Sequence, residues 1–148
     1  MHIRPFVSED RYRLTEIWRA AVEATHDFLT VADIDYYEPL VRDSYLPAVE
    51  VWVAEDAQGA LTGFIGLSEN KVEMLFVDPA VKGQGIGRAL LDHAHSLKGR
   101  LDVDVNEQNP LAVGFYLKYG FIQTGRSETD GEGKPFPIIH LAQPQTCS

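Results

Sequence analysis

Three alternating glycines between an apolar strand and an amphipathic helix constrain this chain more than any other feature. They lie in Val77-Asp78-Pro79-Ala80-Val81-Lys82-Gly83-Gln84-Gly85-Ile86-Gly87-Arg88. Glycines let the main chain fold tightly and turn several N–H groups toward one point. The helix behind them adds the partial positive charge of its N-terminus. Together these make a site suited to a diphosphate, with Lys82 and Arg88 adding full charges beside it. Taken alone, the loop also reads as a plain turn into a helix. It is not a Walker loop, because no Gly-Lys-Ser/Thr follows. The dinucleotide fingerprint fits poorly: its third glycine would fall at Leu90, and the loop sits mid-chain instead of after a first strand. Asp102 or Asp104 could still pose as the ribose acid.

The elements around the loop follow from periodicity. Residues 3–6 read as a first strand, and Ser8 as the N-cap of a helix with Leu14, Ile17, Trp18, Ala21 and Val22 on its apolar face. Thr25 to Leu29 should be a loop. A second helix is expected over residues 35–46, stopped by Pro47. Residues 49–56 and 61–67 read as a hairpin, and 72–77 as a third strand ended by Pro79. A helix is expected over 85–97, a strand over 101–105 and a helix over 110–119 closed by Gly120. Two last strands are expected over 121–126 and 136–141. The order β-α-α-β-β-β-α-β-α-β-β predicts a mixed sheet with helices on its faces.

Composition sets outer limits. With 148 residues, 45% hydrophobic and 24% charged, the chain should form one soluble globular domain, residues 1–143, with a short tail over 144–148. No apolar run reaches the roughly 18 residues of a membrane span, and the N-terminus has no apolar leader core. A net charge of −9 argues against nucleic acid and is compatible with a cationic substrate. The single cysteine, Cys147, excludes an internal disulfide and a cysteine-based metal site. A reducing cytoplasm fits, and no metal site is expected. His93 and His95 are two apart on a helix and share no face, while Trp18, Trp52 and His140 read as parts of their helix and strands.

Two motifs in this order resemble the GCN5-related N-acetyltransferases, the GNAT family. Lys82-Gly83-Gln84-Gly85-Ile86-Gly87 matches the family's Arg/Gln-x-x-Gly-x-Gly loop, after a similar strand end, Leu75-Phe76-Val77-Asp78-Pro79. The second is Asn106-Glu107-Gln108-Asn109-Pro110-Leu111-Ala112-Val113-Gly114-Phe115-Tyr116, followed by Tyr119-Gly120-Phe121. The resemblance covers nearly the whole chain. It implies an α+β fold: a mixed, mostly antiparallel sheet of about seven strands flanked by four helices, splayed between the fourth and fifth strands. It implies acetyl-CoA as co-substrate and a primary amine as acceptor. The coenzyme's pantetheine would enter the splay and pair with the backbone near Leu75, Phe76 and Val77. Gly83, Gln84, Gly85, Ile86, Gly87 and Arg88 would hold the pyrophosphate, and Asn109 would contact the arm. Lys82 departs from the usual Arg or Gln, a small loss where backbone supplies most of the bonds.

Within that resemblance, Tyr116 is expected near the thioester sulfur as general acid, since a phenol of ordinary pKa about 10 suits protonating a leaving thiolate; by itself it also reads as helix packing. Glu73, on the splayed strand, is a candidate base or a solvent-facing residue. His26 lies in the loop where the family shapes its acceptor site, and an imidazole suits a base, though a loop histidine also serves as a structural hydrogen bonder. Asp27 and Phe28 are candidate acceptor contacts beside it. The acceptor is left open between a small-molecule amine and a peptide N-terminus, and a homodimer is admitted. A coenzyme A-binding sensor without turnover is the alternative; Tyr116 and an unfilled gap favour the enzyme.

Overall fold

The computed structural model describes residues 1–25, 29–81 and 83–144. Seven strands form one sheet in the order β1-β2-β3-β4-β5-β7-β6. In chain order they are β1 (His2–Pro5), β2 (Glu50–Glu55), β3 (Leu61–Ser68), β4 (Lys71–Val77), β5 (Asp102–Asn106), β6 (Ile122–Ser127) and β7 (Ile138–Ala142). The helices are α1 (Arg11–Thr25), α2 (Val31–Leu40), α3 (Leu46–Ala48), α4 (Ile86–Lys98) and α5 (Pro110–Tyr119).

Every neighbouring strand pair is antiparallel except β4 and β5, which run parallel on either side of the α4 crossover. β3 is buried on both faces, which explains its continuous apolar run. Phe64 faces α1 and α2 with Val51, Val53, Leu14, Ile17 and Ile34. Ile65 faces α4 with Ala54, Leu90, Leu91 and Val103. Alternation along each strand thus builds two cores, one on each side of the sheet.

Two local expectations need correction. Ser8 does not cap α1. It opens a 3₁₀ turn over Ser8–Asp10, and the Asp10 carboxylate accepts from the Val7 N–H at 2.9 Å and from Arg4 at 2.8 and 3.0 Å. The second helix starts earlier than residue 35, because Thr30 and Asp33 cap it reciprocally. It then tolerates Pro39, widens into a π turn over Val41–Tyr45 and ends at Ala48, so Pro47 sits inside a final short turn instead of stopping it.

Asp10 is 8% exposed. The Arg4 hydrogen bond, aided by the Val7 N–H and opposed by burial, holds its carboxyl below the ordinary carboxylate range. A lowered folded-state pKa stabilises fully above the unfolded value, about 3.9, and that stabilisation is lost as pH falls through the folded one. Asp10→Asn is therefore expected to cost about 1–3 kcal/mol at neutral pH. Urea unfolding should show the difference from wild type shrinking as pH drops below about 4.

Candidate active site

Among the described residues β4 and β5 pair only at Lys71 with Asp102 and at Val72 with Val103. Past that point β4 keeps β3 as its single neighbour, so the backbone edge of Leu75, Phe76 and Val77 facing β5 meets no strand. The ladder to β3 also slips: Gly66 opposes Met74, but Leu67 opposes Val72. Glu73 is the extra residue of a bulge. The bulge reverses the alternation, turning Met74 and Phe76 toward the α1 side and Leu75 and Val77 toward α4.

The parting strands leave a pocket of about 120 Å3, bordered by Glu73 to Phe76, by Val103 to Asn106, and by Asn109, Ala112 and Tyr116. A larger cavity of about 340 Å3 lies against it, walled by Ala21, Ala24 and Thr25 at the end of α1, by Leu75 to Val77, by Gly87 and by α5. Leu75, Phe76, Asn109, Ala112 and Tyr116 border both spaces. They mark where one cleft runs into the other. A combined space of this size falls in the range of small-molecule sites.

The first turn of α4 reaches the larger cavity at Gly87, and the glycine turn precedes it directly. Gly85 takes φ +77° and forms the N-cap of α4, with no side chain accepting from the first helical N–H groups. A β-carbon at Gly83 or Gly85 would meet open space. Among the described residues the amides of Ile86, Gly87 and Arg88 have no capping side chain, which suits them to meet an anion at the positive end of a 13-residue helix. Gly87 is glycine for a different reason: a β-carbon there would stand 3.1 Å from the Phe115 ring, so the two helices approach closely beside the cavity. Gln84 and Arg88 are exposed, and the Arg88 guanidinium lies 5.6 Å from the centre of the Tyr119 ring on α5. The loop's entrance is fixed by Asp78, whose carboxylate pairs with Arg13 of α1 at 2.8 Å and whose N–H donates to the Thr62 carbonyl.

Asn109 caps α5, its side-chain oxygen accepting from the Ala112 N–H at 3.3 Å. Its amide nitrogen has no hydrogen-bond partner among the described residues and borders both spaces. Tyr116 is 6% exposed, packed edge-on against Phe115 and Phe121 at 5.3 Å. Its hydroxyl has no hydrogen-bond partner among the described residues, and burial pushes its pKa well above the ordinary phenol value. It stays a neutral donor across the physiological range. Glu73 is exposed at the gap. His26, Asp27, Phe28 and Lys82 lie outside the described residues.

Sequence reasoning missed the α1 wall of the cavity, the bulge at Glu73 and a line of polar side chains beside the gap, Asp104, His140 and Ser127. The alternating Asp102-Val103-Asp104-Val105 could have placed Asp104 on the face away from α4. Among the described residues no group of His, Cys, Asp and Glu is arranged to hold a metal, and no helix is long and apolar enough to cross a membrane.

Comparison with known proteins gives the same picture. The family model "Acetyltransferase (GNAT) domain" matches residues 22–137. The peptidyl-lysine N-acetyltransferase YjaB of Salmonella typhimurium is 47% identical over 144 residues, 97% of this chain and 99% of the relative. The solution structure of apo-form YjaB from Escherichia coli superposes with a TM-score of 0.89 at 45% identity, covering 98% of each chain. PaiA N-acetyltransferase from Thermoplasma acidophilum, solved in complex with coenzyme A, shares the fold with a TM-score of 0.79 at 22% identity over 97% of this chain and 98% of that one. The chain belongs to the GNAT acetyltransferases, enzymes that take their acetyl group from acetyl-CoA.

Proposed function

We propose that this protein moves the acetyl group of acetyl-CoA to the ε-amine of a lysine in a protein or peptide, by direct attack of the amine on the thioester. The acceptor class rests on the near full-length similarity to a peptidyl-lysine acetyltransferase. It narrows the small-molecule amine and peptide N-terminus that the sequence alone left open. The observation that carries the reading is the gap beyond Val72 and Val103, where an unpaired strand edge, Tyr116 and Gly87 in the first turn of α4 border adjoining spaces.

In this reading the diphosphate sits on the amides of residues 83–88, with Lys82 and Arg88 at its rim. The pantetheine lies along Leu75, Phe76 and Val77 in place of the missing strand, and the Asn109 amide donates to it. A backbone N–H of the unpaired edge polarises the thioester carbonyl. Tyr116 donates to the departing sulfur. His26, Asp27 and Phe28 form part of the acceptor's wall, and Glu73 or His26 assists removal of the amine's proton. The net charge of −9 favours approach of a cationic lysine. A single domain over residues 1–143, a cytoplasmic location and a homodimer complete the proposal.

The test is acetyl transfer to a short peptide with blocked ends and one internal lysine, followed by mass spectrometry. The expected product carries one added acetyl group on lysine with stoichiometric release of free thiol. Acetylation of free N-terminal peptides or small polyamines alone would overturn the acceptor class.

A further inference from the structure

The face of β5 turned away from α4 carries a hydrogen-bonded line of three side chains. His140 Nδ1 lies 2.7 Å from Asp104 Oδ1, and His140 Nε2 lies 2.7 Å from Ser127 Oγ. Strand register explains the line. Asp104 opposes His140 across β5 and β7, and His140 opposes Gly125 across β7 and β6, two residues before Ser127. Val103, Val105, Ile139 and Leu141 enter the core under α4, so Asp104 and His140 project from the other face. Ser127 sits level with Ile138 and Asn106, at the end of the sheet where β4 and β5 have parted.

Asp104 is the link to the chemistry. It borders the gap together with Glu73 and Tyr116, and it also borders an open cavity of about 390 Å3 shared with His140. We infer that Asp104 and His140 form the proton-accepting couple for the acceptor ammonium, Asp104 at the rim of the gap and His140 behind it. This rests on the reading of the gap as the site of acetyl transfer.

The hydrogen bonds suit a group that changes its protonation state. In the neutral imidazole, Nδ1–H donates to Asp104 and Ser127 Oγ–H donates to Nε2. In the imidazolium both ring N–H groups donate, one to the carboxylate and one to the serine oxygen, which turns from donor to acceptor. Neither state leaves a ring nitrogen unpaired. The other groups facing this couple are Lys71 of β4, which pairs with Asp104 at 2.9 Å, and Asp102 and Arg100, which border the same cavity; Thr124 of β6 donates to the His140 carbonyl. Burial opposes the Asp104 charge, but hydrogen bonds from His140 and Lys71 outweigh it and hold its pKa below the ordinary value. Asp104 thus stays ionised while His140 takes the proton. Both side chains are about a third exposed, at 37% and 35%, so the proton has a way out to solvent.

The acceptor enters as an ammonium, one N–H bond breaks, and its proton passes through water to the imidazole, whose new charge Asp104 offsets. The freed lone pair forms the C–N bond at the thioester carbonyl. The C–S bond breaks, the thiolate takes the Tyr116 proton, and the nitrogen's remaining extra proton returns to the Tyr116 oxygen. His140 then releases its proton to water. A nucleophilic role for Ser127 is disfavoured, because it borders neither the gap nor the cavity against it.

The experiment is the pH dependence of kcat/KM for acetyl-CoA and the blocked lysine peptide in wild type, His140→Gln, Asp104→Asn, Glu73→Gln and His26→Ala, with coenzyme A affinity measured for each. His140→Gln should lower the neutral-pH rate by about 10²-fold and abolish the histidine-type acid limb. Asp104→Asn removes the negative partner of the imidazolium, so the limb should move to lower pH by about one unit. Coenzyme A affinity should stay unchanged in both. A wild-type limb in both His140→Gln and Asp104→Asn, or its loss only in Glu73→Gln or His26→Ala, would overturn the couple while leaving the gap reading intact. Absence of coenzyme A binding in wild type would remove both.

Discussion

Tyr116→Phe is expected to slow acetyl transfer by about 10²-fold while changing coenzyme A affinity by less than about threefold. The substitution is unusually clean here. The ring contacts with Phe115 and Phe121, both at 5.3 Å, are kept. The hydroxyl that disappears has no hydrogen-bond partner among the described residues, so no buried group is orphaned and thermal stability should hold or rise slightly. In the proposed mechanism, what is lost is the proton offered to the thiolate. Steady-state kinetics should show the loss in kcat with KM for acetyl-CoA nearly constant, because the interaction matters only as charge develops on sulfur. A wild-type kcat would remove Tyr116 from the chemistry and leave it as packing for Phe121.

The second large effect is on binding. Gly85→Val is expected to weaken acetyl-CoA by at least about 10²-fold, about 2.7 kcal/mol. Two causes add. A β-branched residue resists φ +77°, at a cost of about 1–2 kcal/mol or more. Its side chain would also fill the open space in front of the first amides of α4. Gly99, at the other end of the same helix, separates the two causes: it also has positive φ, +76°, and also faces open space. Gly99→Val should destabilise the fold by at least as much, because its ψ of −138° suits only glycine whereas Gly85 at ψ 16° is left-handed helical, and should leave calorimetric titration with acetyl-CoA unchanged. Equal losses of affinity in both variants would show that backbone strain, not the diphosphate seat, lies behind the Gly85 result.

The sequence made the elements legible wherever a periodic apolar face ran unbroken. α4, β5 and β7 lie within a few residues of their expected bounds, because Leu90, Leu91, Val103, Val105 and Leu141 are all core positions. It misjudged α2, where the reciprocal bonds of Thr30 and Asp33 start the helix on exposed Val31, ahead of the expected residue 35, and where the helical path runs on past Pro39 through a π turn to Pro47. The site divides in the same way. The glycine turn is legible as local chain geometry. The gap was reachable only through family resemblance, since nothing in Val72 to Val77 says that pairing with residues 102–106 stops after two positions. The bulge at Glu73 and the bonding of Asp104 to a histidine 36 residues away are matters of register between strands, which no local pattern encodes.

Among the described residues only two cross-strand pairs stitch one half of the sheet to the other, with α4 packed across both beneath them. A donor molecule lying in the wedge would act as a removable eighth ribbon, hydrogen-bonded like protein but held by mass action. The cohesion of the two halves would then follow cellular energy supply: firm when acetyl-CoA is plentiful, looser when it is scarce. In that reading the metabolite would complete a seam that the architecture leaves unfinished.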